Sequence, residues 1–173
     1  MSAAGGTPNP HDVAPDDVLE AGGATYRIGR ASAEDVPAIV DLLRDDELGA
    51  TREQHDLAVY EQAFAAIDRD PSHYLAVVRD GEGVVVGVMQ LTLVPGLSRG
   101  GALRLHIEAV RVGATTRGSG LGRAMFAWAH DYGRSRSARL VQLTSDKSRT
   151  DAHRFYDRLG YRATHEGYKL SLE

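Results

Sequence analysis

The chain has 173 residues, 42% hydrophobic and 25% charged, with a formal net charge of −4. That is enough apolar material for one domain with a sizeable core. It contains no cysteine, which excludes disulfides, thiolate catalysis and Cys-based metal sites. No apolar run approaches the roughly 18 residues that span a bilayer. The start is neither basic nor followed by an apolar core, so it does not read as a signal peptide, and a cytoplasmic protein is the expectation.

The net charge hides an asymmetry. Residues 1–96 carry 17 acids against 6 arginines, a net of −11, and residues 97–173 carry 7 acids against 14 Lys and Arg, a net of +7. A basic half suits a multiply phosphorylated ligand, and an acidic half would attract a cationic one. Mutual attraction of the halves within the fold explains the split equally well. The basic residues are not clustered with aromatics, so nucleic acid is not the expected partner.

In chain order, residues 1–22 read as a disordered tail of small, polar and acidic residues that bury too little to offset their ordering. A domain is expected over 23–173. Thr25 to Ile28 is a strand. Ser32 or Asp35 caps a helix carrying Val36, Ile39, Val40 and Leu43, with Pro37 tolerated in its first turn. After an acidic connection, Asp45 to Glu53, a second helix sets Leu57, Tyr60, Phe64 and Ile67 on one face, a stripe of core type. That connection is either a substrate loop or an ordinary link. His73 to Arg79 and Val84 to Val94 are strands joined by the hairpin signal Asp80-Gly81-Glu82-Gly83. Leu103 to Val112 follows as a third strand of this meander. A helix beginning near Gly120 aligns Leu121, Met125, Trp128 and Tyr132. Arg139 to Thr144 is a strand. The next helix aligns Ala152, Phe155, Tyr156 and Leu159, is capped by Ser148 or Thr150, and is ended by Gly160. Tyr161 to Thr164 and Tyr168 to Leu172 are expected to pair as a last hairpin. The order predicts an α/β (α+β) domain with one mixed, mostly antiparallel sheet flanked by helices.

One junction stands out: Arg117-Gly118-Ser119-Gly120-Leu121-Gly122-Arg123, between a strand and a helix. Free N–H groups and the dipole at a helix start favour an anion, and glycines let backbone approach it closely. A phosphate cradle and a plain flexible turn both fit this loop taken alone. A P-loop would need Lys followed by Ser or Thr, where Arg123-Ala124 stands. A dinucleotide fingerprint would need G-x-G-x-x-G in an early βαβ unit.

Arg117-x-x-Gly120-x-Gly122, preceded by Val110-Arg111-Val112, resembles the acetyl-CoA signature of the GNAT superfamily of N-acetyltransferases. Ala152-His153-Arg154-Phe155-Tyr156-Asp157-Arg158-Leu159-Gly160-Tyr161 resembles that family's second motif. One helix and one strand separate them, as in the family. The resemblance spans about residues 25–172 and implies a GNAT-like domain that uses acetyl-CoA. It places Val110, Arg111 and Val112 along the pantetheine arm, with backbone of Val110 and Val112 pairing to it. It places the pyrophosphate on backbone N–H groups of Arg117, Gly118, Ser119, Gly120, Leu121, Gly122 and Arg123. Ser119 stands where many relatives carry a basic residue, so backbone carries more of the binding. Arg149 replaces a frequent Asn and is assigned to the cofactor. Relatives often pair through their C-terminal strands, which allows a homodimer.

The chemistry requires a base, because an alkyl ammonium has a pKa of about 10.4 and must lose a proton before it attacks. The leaving thiolate requires an acid. The resemblance points to Tyr156 as acid; without it, Tyr156 reads as a packed core tyrosine. His106 and Glu108, two apart on a strand, project from one face, with Ile107 on the other. Glu108 ranks first as base, where relatives often have a carboxylate, and His106 second. Both also read as structural residues, Glu108 paired with Arg104 or Arg111. The remaining histidines show no metal-ligand spacing. The reading is an N-acetyltransferase moving acetyl from acetyl-CoA to a primary amine by direct attack. The acceptor is unspecified: a cationic small molecule, or a protein or peptide amine. A CoA-binding regulatory module without catalysis and a nucleotide-binding α/β protein are the alternatives.

Overall fold

Strands β1 (Asp17–Ala21) and β2 (Ala24–Arg30) open a six-stranded sheet in a computed structural model that describes residues 16–45, 53 and 56–172. They turn on Gly22 and Gly23, at φ 59° and 79°, which is left-handed backbone that suits a two-residue hairpin. Part of the stretch read as a tail is therefore a strand. Leu19 is buried against the core and Asp17 accepts a hydrogen bond of 2.6 Å from the Trp128 indole. The acid-rich composition masked a Gly-Gly turn signal and a single buried leucine. Residues 1–15 lie outside the described residues.

Helices α1 (Val36–Arg44) and α2 (Leu57–Arg69) follow β2. Before α1, Ser32 and Asp35 form a capping box around a short helical turn, and Pro37 sits in the first turn of α1. Asp35 does more than cap. It is buried and accepts both of its oxygens' bonds from Arg79 Nη2 at 2.8 Å. Asp56 caps α2 by accepting from Ala58 N–H. Of the stripe expected on α2, Phe64 and Ile67 reach the core, whereas Leu57 is exposed. Most of the acidic connection before α2 lies outside the described residues.

The meander forms as expected: β3 (His73–Arg79), β4 (Val85–Val94) and β5 (Arg104–Val112). Then come α3 (Leu121–Ser135), β6 (Leu140–Leu143) and α4 (Thr150–Arg158). Strand order follows chain order, antiparallel from β1 to β5 and parallel between β5 and β6. Alternation sends Ala76 and Val78 to one face, with Leu105, Ile107 and the α3 residues Leu121, Met125, Phe126 and Ala129. It sends Leu75, Val77 and Val88 to the other face, against Ile39 of α1 and Phe64 of α2. Gly133 lies within α3 because a Cβ there would stand 3.1 Å from Leu105 Cδ2. A side chain at that point would need Leu105 to give way by a few tenths of an ångström.

The end of the chain differs from expectation. Gly160, at φ 88°, closes α4 in a Schellman motif: its N–H reaches Asp157 O at 3.0 Å and Tyr161 N–H reaches Tyr156 O at 3.1 Å. Beyond it, residues 161–172 form no strand. The alternation of Tyr168, Leu170 and Leu172 remains, but these side chains are exposed. An apolar rhythm identifies a face that would be buried. A hairpin that finds no sheet edge to cover it is only marginally stable.

Candidate active site

The glycine loop is held from within. Gly118 and Gly120 have φ of 79° and 88°, and Gly120 is the N-cap of α3. The Ser119 hydroxyl donates to Thr116 O at 2.7 Å and accepts from Leu121 N–H at 3.3 Å. Ser119 thus supplies order rather than charge, and it occupies one N–H of the helix start. The N–H groups of Gly122 and Arg123 have no acceptor within the helix, so they and the dipole face outward from its first turn. Arg117 is tied down: Nη2 meets Asp45 O and Oδ2 at 2.7 Å each, and Nε donates to Val112 O at 3.3 Å. It bridges the loop to the end of α1. Arg123 is exposed.

Beside the loop, β5 outruns its neighbour. Its pairing with β6 ends at Ile107 opposite Leu143, while β5 continues to Val112. The register against β4 slips between Val88 and Gln90, and Ala109 has φ 52°. This is a β-bulge. It flips the alternation, so Val110 and Val112 join Leu105 and Ile107 on the α3 side. Gly113 N–H bonds to Val86 O of β4. Alternation then turns the backbone of Val112 and Val110 to the opposite edge, past the end of β6. On that edge Arg111 Nη1 donates to Val110 O at 2.9 Å, as Arg117 does to Val112 O.

Helix α4 leans over the same edge. A methyl placed on Gly122 would stand 3.6 Å from Phe155 Cζ and 3.8 Å from Val112 Cγ2. Loop, strand end and the Phe155-Tyr156 helix therefore meet at one point. Tyr156 packs edge-on against Phe126 at 5.7 Å and lies 6.0 Å from Tyr161. Burial pushes its hydroxyl above the usual tyrosine pKa, against the opposing pull of Arg149 and Arg111. The phenol therefore holds its proton through neutral pH. Arg149 is the N-cap of α4 and lies close enough to act on Tyr156 electrostatically.

On the α1–α2 side, His106 and Glu108 share a face, with Nε2 and Oε2 3.8 Å apart. Register places His106 in a row across four strands: His73 opposite Thr92, Thr92 opposite His106, His106 opposite Gln142. Glu108 stands in the next row, opposite Gln90. His73 Nδ1 lies 2.9 Å from Thr92 Oγ1, and Arg104 Nη1 donates to Gln142 Oε1 at 3.3 Å. Arg104 thus engages Gln142 and Arg111 bonds Val110 O; among the described residues, Glu108 lies beside His106. This polar floor continues the apolar surface that α1 and α2 cover.

Residues 36–161 match the acetyltransferase (GNAT) family. The chain belongs to the GNAT family. It is 32% identical over 143 residues to the aminoalkylphosphonate N-acetyltransferase of Salmonella typhimurium, covering 82% of this chain and 88% of that protein. It is 36% identical over 90 residues to the glucosamine 6-phosphate N-acetyltransferase of Trypanosoma brucei brucei, covering 52% of this chain and 59% of that protein. Among solved structures, a protein described as a transcriptional regulator from Bacillus halodurans superposes with a TM-score of 0.81 at 39% identity, covering 85% of this chain and 99% of that one. The chain is thus an acetyl-CoA-dependent acyltransferase acting on an amine.

Within this GNAT domain, sequence reasoning missed two contributors. The β1–β2 turn abuts the glycine loop: a Cβ on Gly22 would come within 3.0 Å of Ser119 O and 3.1 Å of Ser119 Cβ. A Gly-Gly pair before a strand was the available signal. Gln142, which bridges Arg104 toward His106, had no signal, because only the parallel register of β5 and β6 sets it opposite His106. Among the described residues, no helix is long and apolar enough to cross a membrane.

Proposed function

We propose that this GNAT enzyme binds acetyl-CoA along the β5 edge, with the pyrophosphate on the first turn of α3, Tyr156 as acid and Glu108 as base. The observation that carries the reading is the meeting of Gly122, Val112 and Phe155, which brings loop, strand edge and Tyr156 helix to one point. Backbone of Val110 and Val112 would hold the pantetheine arm once Arg111 and Arg117 yield their carbonyl contacts. Arg149, beside Tyr156, adds charge on the cofactor side. A thioester on this edge has Tyr156 on one side of the sheet and Glu108 on the other.

The ammonium gives one proton to Glu108, directly or through a water. The free amine attacks the thioester carbonyl carbon, and a C–N bond forms. The C–S bond then breaks, the sulfur takes the Tyr156 proton, and the nitrogen's second proton restores the tyrosine. The products are the amide, CoA and one proton.

For the acceptor, both curated relatives carry names of amines joined to a phosphorus oxyanion. We infer an acceptor of that kind here, with Arg104 as the cation of the polar floor. This replaces the simple cationic amine suggested by the acidic half of the chain. The exposed Tyr168, Leu170 and Leu172 are the surface through which two copies would pair, which light scattering reads directly. The test of function is free-thiol detection of CoA with aminoalkylphosphonates, glucosamine 6-phosphate and a polyamine. CoA release with the first two supports the acceptor class, and release with the polyamine alone overturns it. Acetyl-CoA binding without release on any amine would favour a regulatory module.

A further inference from the structure

Arginine carries only donors, and this fixes a chain of side chains on the polar floor. Arg104 Nη1 faces Gln142 Oε1 at 3.3 Å. The amide oxygen must therefore point to Arg104, which turns the amide nitrogen toward His106. Gln142 Nε2 lies 3.5 Å from His106 Nδ1, a long contact in which the amide can only donate. His106 Nδ1 is then the acceptor, and the ring proton of the neutral imidazole sits on Nε2. That nitrogen faces Glu108 Oε2 at 3.8 Å.

We propose that Arg104 and Gln142 are positioning residues that hold His106 in the Nε2–H tautomer, so that His106 orients Glu108 and does not compete with it as base. This assignment rests on the functional reading above for its purpose, but not for its geometry. It resolves the choice between His106 and Glu108. An imidazole whose Nδ1 accepts from an amide and whose Nε2 carries a proton offers no lone pair to an ammonium. Glu108, with a half-exposed side chain, has one. Among the described residues, the groups facing His106 are Arg104 and Glu108 on its own strand, Thr92 on β4 and Gln142 on β6, with His73 of β3 one strand further and Asp70, just before β3, beside His73.

Long-range 1H–15N spectra of the histidine rings read the tautomer directly, with His106 assigned by the signal lost in His106→Gln. They are recorded at about pH 8.5, above the ordinary imidazole range near 6.5. The wild type should show the Nε2–H tautomer. Gln142→Glu, which puts an acceptor opposite Nδ1, should move the proton to Nδ1, and Arg104→Met, which frees the amide to turn, should give a mixture. Arg104→Lys, which keeps a donor, should restore the wild-type pattern. In turnover, Gln142→Glu should lower kcat about tenfold with the KM for acetyl-CoA unchanged. An Nδ1–H tautomer in the wild type, or one pattern in all variants, overturns the proposal. If no amine is acetylated, the spectra still decide the tautomer, so failure of the function and failure of this arrangement are told apart.

Discussion

The glycine loop, proposed to hold the cofactor, and the polar floor, proposed to receive the acceptor, are built in opposite ways. The loop is seven consecutive residues, and what it offers a ligand is backbone N–H at a helix start. Its side chains serve its shape: Ser119 ties Thr116 to Leu121, and Arg117 ties the loop to Asp45. The floor is made of side chains from four strands that are up to 69 positions apart, from His73 to Gln142, and only register lines them up. A backbone site tolerates change of side chain but not of conformation. A side-chain site shows the reverse.

The sharpest break of this contrast is at the chemistry. Glu108→Gln should lower kcat by about 10²- to 10⁴-fold, the span expected for a lost general base, and leave acetyl-CoA affinity as it was. Steady-state rates with isothermal titration check both halves. Tyr156→Phe should cost about 10²-fold in kcat, also at unchanged affinity.

Adjacent residues on opposite faces sharpen the comparison. Ile107 is 1% exposed and points into the α3 core, next to Glu108 on the floor. Ile107→Ala should cost about 2–5 kcal/mol of stability in a denaturant titration. Glu108→Gln should leave the unfolding midpoint nearly unmoved. A large midpoint shift in both would mean that the floor is structural.

In the loop, Gly120→Ala forces a side chain into left-handed backbone, a strain of about 1–2 kcal/mol. Acetyl-CoA affinity should fall about tenfold. Gly122→Val should also weaken binding, by crowding Phe155 and Val112. Ser119→Ala loses only internal loop bonds and should change affinity by about threefold or less. Equal effects of Ser119→Ala and Gly120→Ala would contradict a backbone-built site.

The smallest effect is with pH. Burial raises Tyr74 to about 12 and also raises Tyr132, Tyr156 and Tyr161. The folded state then keeps protons that the unfolded chain loses near pH 10. The contribution is fully present below pH 10 and fades as pH rises through the folded values. Unfolding midpoints should thus fall from about pH 10 upward, less steeply in Tyr74→Phe.

Legibility followed the same divide. The loop, the meander and the Phe155-Tyr156 helix are contiguous patterns, so periodicity and glycine placement located them within a residue or two. That Glu108 and His106 share a face was legible because they stand two apart on one strand. Their partner Gln142 and the Ser119–Gly22 contact arise from pairing between distant segments, which no local pattern encodes. The expected C-terminal hairpin failed for a related reason: Tyr168, Leu170 and Leu172 alternate correctly, yet alternation does not say which edge would receive them. β1 was hidden by acids flanking one buried leucine, Leu19.

The most direct test of two separable sites is an acetyl-CoA titration, by calorimetry, of the wild type, Glu108→Gln and Gly120→Asp. Wild type and Glu108→Gln should bind with the same Kd, and Gly120→Asp, which adds both backbone strain and a negative charge, should bind at least tenfold more weakly. No binding by the wild type, or one common Kd for all three proteins, would contradict the account.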